Sequence, residues 1–390
     1  MDNTARENRM DRRSFLRVGT LGTALVATAQ GRKADAAEPA AGAKPPAEDM
    51  YRTLGRTGLK VFPVGMGALR TGEVAVVQAA LERGVNFIDT GRSYQGGKNE
   101  VMVGQAIQGR REQVCVATKI PVGSKEAMMR NVEESLKALG TDYLDILQLH
   151  SVSSAGGIGH EVAREALAEA RKQGKARFLG VSCHSKQAEV LDAICADPDK
   201  LFDMAMVSYN FKSGADIKEA IARAAKAGIG IVAMKTQAGG YKTKELGDIS
   251  PHQAALKWVL QDPNVHTTAP GMANLAQLEE DMAVMDMDLK LSHADAQILE
   301  CYGAAIDARY CHQCRACAAT CPRGVDIPTV NRCLMYAEGY GDLELARTTY
   351  ADLARGVSVA ACADCATCVA QCAYSVDIAA QMRRAQRLFA

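Results

Sequence analysis

The sequence predicts a (β/α)8 TIM barrel with a small, cysteine-rich helical domain behind it. Three observations carry that prediction. Between residue 51 and about residue 300, short apolar runs alternate with helical patterns eight times. The runs are continuously apolar, as expected of strands covered on both faces. Of the 13 cysteines, nine fall after residue 310. A stretch of about 250 residues is the usual length for eight strand–helix units closed into a barrel.

Taken in order, the predicted strands are 61–66, 86–89, 114–120, 144–150, 178–182, 204–209, 229–235 and 265–270. Helical patterns lie between them, at 74–83, 99–107, 125–139, 161–173, 217–226 and 251–260. Gly84, Gly140, Gly174 and Gly228 each follow a helical run, where a left-handed residue ends a helix. Pro251 stands at a helix start, where its missing N–H costs nothing. The competing architecture is an open doubly wound sheet. It calls for a glycine-rich turn after the first strand, and Gly65 and Gly67 lack a third glycine.

The rest of the composition is ordinary. Of 390 residues, 48% are hydrophobic, and 46 basic residues against 45 acidic ones leave a net charge of +1. That balance excludes a disordered chain and points away from nucleic acid, which calls for a concentrated basic patch. No apolar run approaches the ~20 residues that span a bilayer. At the N-terminus, Arg12-Arg13 precede Phe15-Leu16, a mildly apolar stretch and Ala34-Asp35-Ala36. A charged segment, an apolar segment and a small-residue site make a secretory signal. The paired arginines resemble a twin-arginine (Tat) signal over 1–36, cleaved after Ala36 or retained as a membrane tether. Residues 37–50, with Pro39, Pro45 and Pro46, read as a linker. As a route, the twin-arginine machinery carries proteins folded around their cofactors, so the expected location is periplasmic or otherwise exported.

In barrels the active site gathers at the C-terminal ends of the strands. Three predicted strands end in ionisable residues: Asp89 with Tyr94 shortly after, Lys119, and His150. Ionisable groups closing apolar strands are partly desolvated, which is where shifted pKa values arise. Asp89-Thr90 with Tyr94, then Lys119, then His150 resemble the catalytic tetrad of the aldo-keto reductases. Arg52-Thr53-Leu54-Gly55-Arg56-Thr57-Gly58-Leu59 is similar to that family's opening segment, and the resemblance covers about residues 51–300.

The resemblance implies carbonyl reduction, or its reverse, with NADP or NAD. It casts Tyr94 as proton donor, Lys119 as the cation that lowers the Tyr94 pKa, Asp89 as the anion that holds Lys119, and His150 as the group that orients the carbonyl. It places Ser182, Tyr209, Asn210, Gly271, Gln277 and Glu280 around the nucleotide. Lys235, closing a strand ahead of Gly239-Gly240, reads either as a phosphate contact or as a solvated strand-end charge. Three positions depart from the family pattern: Met206 stands where glutamine is common, Cys183-His184 follow Ser182, and Gln277 stands nearest to where a cation grips a 2′-phosphate. NADH and NADPH therefore both stay open.

The tail carries two runs of one spacing. Cys311, Cys314, Cys317 and Cys321 form C-x2-C-x2-C-x3-C, and Cys362, Cys365, Cys368 and Cys372 repeat it. This is the bacterial ferredoxin spacing, in which the fourth cysteine of each run ligates the other cluster. The expected sets are Cys311, Cys314, Cys317 and Cys372 for one [4Fe-4S] cluster, and Cys362, Cys365, Cys368 and Cys321 for the second. Zinc is the rival ligand chemistry, but it needs four ligands per site and this spacing is not its own. The second run departs from the pattern with Ala373 where proline is usual. Residues 322–361 read as helical, so the tail resembles a two-cluster ferredoxin domain of the kind fused behind some aldo-keto reductases. The expected domains are thus a signal (1–36), a linker (37–50), a reductase-like barrel (51–305) and a ferredoxin-like domain (306–390).

Two functions follow from the parts. In one, an exported oxidoreductase reduces a small carbonyl compound while the clusters exchange single electrons with a redox partner protein. In the other, the chain is an exported iron–sulfur electron-transfer protein whose barrel is a silent scaffold. A nicotinamide passes two electrons as hydride whereas clusters pass one, so direct coupling needs an intermediate carrier that the sequence does not show.

Overall fold

Pro63 divides the first predicted strand in two. In the computed structural model, which describes residues 47–390 except 245, 246, 364, 375 and 390, β1 (Arg52–Thr53) and β2 (Lys60–Val61) pair as an antiparallel hairpin. β3 (Met66–Gly67) opens the barrel beyond the proline. A proline cannot donate to a sheet ladder, and the preceding Phe62 N–H donates instead to Asn86 Oδ1 at 2.8 Å. The hairpin plugs the N-terminal end of the barrel. Leu54 is fully buried against Gly230, and Arg56 N–H donates to Gly228 O at 2.7 Å.

The other strands fall where the apolar runs place them: β4 (Phe87–Asp89), β5 (Cys115–Ile120), β6 (Leu144–Leu149), β7 (Ala176–Cys183), β8 (Met204–Ser208), β9 (Gly230–Met234) and β10 (Thr267–Thr268). All eight from β3 to β10 are parallel, each beside its neighbour in sequence. Bridges Val64↔Thr268 and Gly67↔Gly271 join the first strand to the last and close the sheet.

Side chains alternate between two cores. Phe87, Ala117, Ile146, Met204, Met206 and Val232 fill the inside of the barrel. Val116, Leu147, Val181, Ala205 and Val207 face the helical ring. The helices start and stop on local signals: Ser124 caps Lys125–Leu139 and Gly140 ends it at φ 65°, while Ser250 forms a capping box ahead of Pro251–Leu260. The helices Ala155–Ile158, Gln187–Cys195, Leu275–Met282 and His293–Ile306 were not among the predicted helical segments.

The tail departs from one continuous helical segment. It folds as Ile327–Glu338, Leu343–Ala351 and Ile378–Phe389, with 3₁₀ turns between the last two. The first break falls at Gly339-Tyr340-Gly341, where Gly341 adopts φ 68°. Val325, Val330, Leu334, Val359, Ile378 and Met382 form a core of the tail's own. A second apolar cluster joins tail to barrel through Ala238, Tyr241, Tyr302, Ile306, Met335 and Tyr336. Contact there is so close that a Cβ on Gly339 would collide with the carbonyl of Gly239. The described residues belong to one compact unit.

Glu48–Met50, expected as the end of a linker, forms a 3₁₀ turn, and the Tyr51 ring packs edge-on against Phe62. The twin-arginine segment and the rest of the linker lie outside the described residues. Among the described residues no helix is long and apolar enough to cross a membrane.

Candidate active site

Asp89 ends β4, Tyr94 opens the 3₁₀ turn Tyr94–Gly97, Lys119 lies near the end of β5, and His150 follows β6. Strand alternation turns Asp89, Lys119 and His150 to the barrel interior, in register with Phe87, Ala117 and Ile146 below them. The four side chains meet. Lys119 Nζ donates to Asp89 Oδ2 at 2.5 Å and to Thr90 O at 2.6 Å. It stands 4.6 Å from the centre of the Tyr94 ring, and the Tyr94 and His150 rings meet edge-on with centroids 5.8 Å apart.

The sequence reading missed Gln148, whose Nε2 donates to the other Asp89 oxygen at 2.9 Å. The signal was available: Gln148 is two residues before His150 on one strand, so both share the inner face.

Burial sets the electrostatics. It pushes the Asp89 carboxyl up and the Lys119 ammonium down, each toward its neutral form, and their mutual attraction opposes both. The Tyr94 phenol is driven well above its ordinary value, by burial first and then by Asp89. The expectation that Lys119 lowers the Tyr94 pKa is therefore corrected: desolvation disfavours the phenolate, and the cation that pulls the value down is Arg332, from the tail. Burial, aided by Lys119 and Arg332, pulls His150 to about 3. At neutral pH, Tyr94 thus holds a transferable proton, whereas His150 is a neutral ring able to hydrogen-bond.

The nucleotide residues divide. Lys235 and Gly271 line the same cavity as Tyr94 and His150, a space of about 220 Å³. The other five are engaged within the protein. Ser182 Oγ accepts from Ser151 N at 2.9 Å. Asn210 Nδ2 donates to Lys235 O at 2.9 Å and to the Tyr310 hydroxyl at 3.0 Å. Gln277 Oε1 accepts from Ala273 N at 2.9 Å, and Glu280 accepts from Ser250 Oγ at 2.5 Å. Tyr209 faces away from the mouth. Its hydroxyl donates to Asp262 at 2.8 Å and its ring lies 5.0 Å from Trp258. Met206 and Ser208 point inward, so alternation turns Tyr209 outward.

The sequence also gave no sign that the tail would roof this cavity. Arg332, Tyr336, Tyr340 and Asp352 all line it. Arg70 Nη2 donates to Tyr340 O at 2.9 Å, and its guanidinium stacks 4.5 Å from the Tyr340 ring centre.

Residues 68–248 match the Aldo/keto reductase family. The chain carries an aldo/keto reductase domain. It is 28% identical over 282 residues to the L-galactose dehydrogenase of Arabidopsis thaliana, a match covering 60% of this chain and 87% of that one. It is 33% identical over 148 residues to the uncharacterized oxidoreductase YqkF of Bacillus subtilis, covering 34% of this chain and 48% of that one. Among solved structures, an aldo-keto reductase from Klebsiella pneumoniae in complex with NADPH matches with a TM-score of 0.56 at 26% identity, over 64% of this chain and 94% of that one. The protein is an enzyme, an oxidoreductase of aldo-keto reductase type.

The nine cysteines after residue 310 lie outside residues 68–248, the stretch that matches the family. All thirteen are free thiols. Among the described residues, no group of three or more His, Cys, Asp or Glu converges as it would on a single metal ion. The two runs nonetheless interleave. Burial raises the Cys311 thiol, and Cys314 and Cys372 raise it further; burial raises Cys317 to about 12, with Cys311, Cys314 and Cys372 adding to it. Burial likewise raises Cys362, with Cys365, Cys321 and Cys368 adding to it. Cys321, Cys362, Cys365 and Cys368 line one cavity of about 290 Å³. Cys372 Sγ accepts a hydrogen bond from Tyr374 N at 3.3 Å.

Proposed function

We propose that this chain is an exported, NADP(H)-linked carbonyl reductase that carries two [4Fe-4S] clusters. One observation carries the catalytic half: the buried Asp89–Lys119 pair packs beside Tyr94 and His150 at one barrel mouth. The family match and the NADPH complex of the Klebsiella relative support the choice of cofactor. The cavity suits the nicotinamide end of such a nucleotide, because Met206, Met234 and Ala269 offer an apolar side to a flat ring, with Lys235 and Arg332 beside it.

When bound, the nicotinamide supplies the hydride. The protein supplies the rest. Tyr94, kept protonated by burial, donates its proton to the carbonyl oxygen as charge builds there. His150, kept neutral, hydrogen-bonds that oxygen and fixes its position. Asp89, Gln148 and Thr90 hold Lys119 under the Tyr94 ring, and the roof formed by Tyr336 and Tyr340 shields the site from bulk water.

For the clusters, the interleaved thiol sets supply the support. Each set joins three cysteines of one run to the fourth of the other, which is the two-cluster ferredoxin arrangement. A cubane spreads four thiolates over its corners, so its ligands need not converge as they would on one ion. When bound, the clusters supply single-electron transfer. The twin-arginine signal fits such a cargo, since it exports proteins with cofactors in place. Re-reduction then falls to a redox partner protein.

Replacing Tyr94 with Phe tests the catalytic reading. Nicotinamide-driven carbonyl reduction should fall by about 10²–10⁴ while the visible absorbance of the clusters is unchanged. Turnover that survives the change would rule out Tyr94 as the proton donor.

A further inference from the structure

Among the described residues, two basic side chains at the barrel mouth pair with no carboxylate. Arg332, on the tail helix Ile327–Glu338, and Lys235, just after β9, both line the cavity that holds Tyr94 and His150. Both also line a narrower cleft that runs toward Cys311. Arg332 Nε is buried with no hydrogen-bond partner, as is His184 Nδ1 in the same cavity. The Lys235 ammonium meets the face of the Tyr336 ring, 5.1 Å from its centre. Among the described residues neither cation forms an ion pair. Of the two carboxylates on the cavity wall, Asp89 is committed to Lys119, and Asp352 pairs with neither cation.

Two unpaired cations sharing a desolvated pocket repel each other, and each has lost its hydration. An anion seated between them removes both costs. A guanidinium with a free Nε presents the fork that matches the two oxygens of a carboxylate or phosphate. We infer that Arg332 and Lys235 form the seat for an oxyanion, presented beside Tyr94 either as the carboxylate of the substrate or as a phosphate of the nucleotide. The tail thereby completes the active site of the barrel, because half of the seat comes from a helix beyond the reductase domain. The location of the seat rests on the proposed reductase reading, but its capacity to bind an anion does not.

Calorimetric titration of the full chain with its clusters in place separates the two sources. One probe is oxamate, a carboxylate with no reducible carbonyl, and the other is inorganic pyrophosphate. Arg332→Gln should weaken a bound probe by about tenfold or more. Arg332→Lys should fall between Arg332→Gln and the parent, keeping the charge but losing the fork. Arg347→Gln, on the exposed face of the next tail helix, should match the parent protein. An effect on oxamate assigns the seat to the substrate, and an effect on pyrophosphate alone assigns it to the nucleotide. If neither probe binds the parent protein, or both bind Arg332→Gln undiminished, the seat is refuted. A shifted paramagnetic signature of the cluster in Arg332→Gln with undiminished binding would equally refute it, the charge then answering to the cluster. Loss of the reductase reading shows separately, as Tyr94→Phe turnover, and leaves the titrations intact.

Discussion

Removing the anion beneath Lys119 should expose the cost of burying that cation. In Asp89→Asn, Lys119 keeps its bond to Thr90 O but loses a carboxylate at 2.5 Å, in a pair whose side chains are 1% and 5% exposed. Breaking one side of a buried pair costs about 3–5 kcal/mol, and the retained Thr90 contact places this case near the lower end. Against a total stability of about 5–15 kcal/mol, that is readily measured as a lower denaturant midpoint.

The pH dependence has a definite sign. Burial already lowers the Lys119 pKa, and without Asp89 it falls further, whereas the unfolded lysine titrates at about 10.4. Between those two values the unfolded state binds the extra proton, so the variant gains stability as pH rises. The slope approaches about 1.4 kcal/mol per pH unit. The double replacement Asp89→Asn with Lys119→Met removes the stranded charge and should be less destabilised than Asp89→Asn alone. A single variant within about 0.5 kcal/mol of the parent at neutral pH, with no rise toward alkaline pH, would refute the argument.

Three further outcomes follow from the geometry. Carbonyl reduction should show no ionisation of His150 or Tyr94 between about pH 5 and 9, since His150 titrates near 3 and Tyr94 lies well above its ordinary value; a break near pH ~6.5 that vanishes in His150→Gln would contradict this. Cys372→Ala should bleach the same cluster as Cys314→Ala and spare the one lost in Cys365→Ala, and paramagnetic spectra in which Cys372→Ala pairs with Cys365→Ala would overturn the interleaved assignment. Tyr209→Phe should lose about 1–3 kcal/mol of stability by stripping Asp262 of a buried hydrogen bond, with KM for the nucleotide unchanged; a tenfold rise in KM at unchanged stability would return Tyr209 to the mouth.

Much of the barrel was legible because each strand is a continuous apolar run, and the closing residues Asp89, Lys119 and His150 follow from where those runs end. Pro63 could have been read as a strand breaker from its missing N–H. Gln148 and Tyr209 could have been sorted by counting alternate residues from His150 and Met206: an even step keeps a side chain on the inner face, and an odd step turns it to the helices.

What the sequence determined by itself was local: the alternation of strands and helices, the helix caps, and the spacing of two cysteine runs, all set by residues within a few positions of one another. Only the tertiary structure decided that Arg332, Tyr336 and Tyr340 would roof the mouth, because no local pattern links the Ile327–Glu338 helix to Tyr94. It also decided the sign of the Tyr94 shift. The sequence supplies a neighbouring lysine, which favours the phenolate, but the packed fold removes water from around the ring, and that loss of hydration outweighs the lowering by Arg332 from the tail.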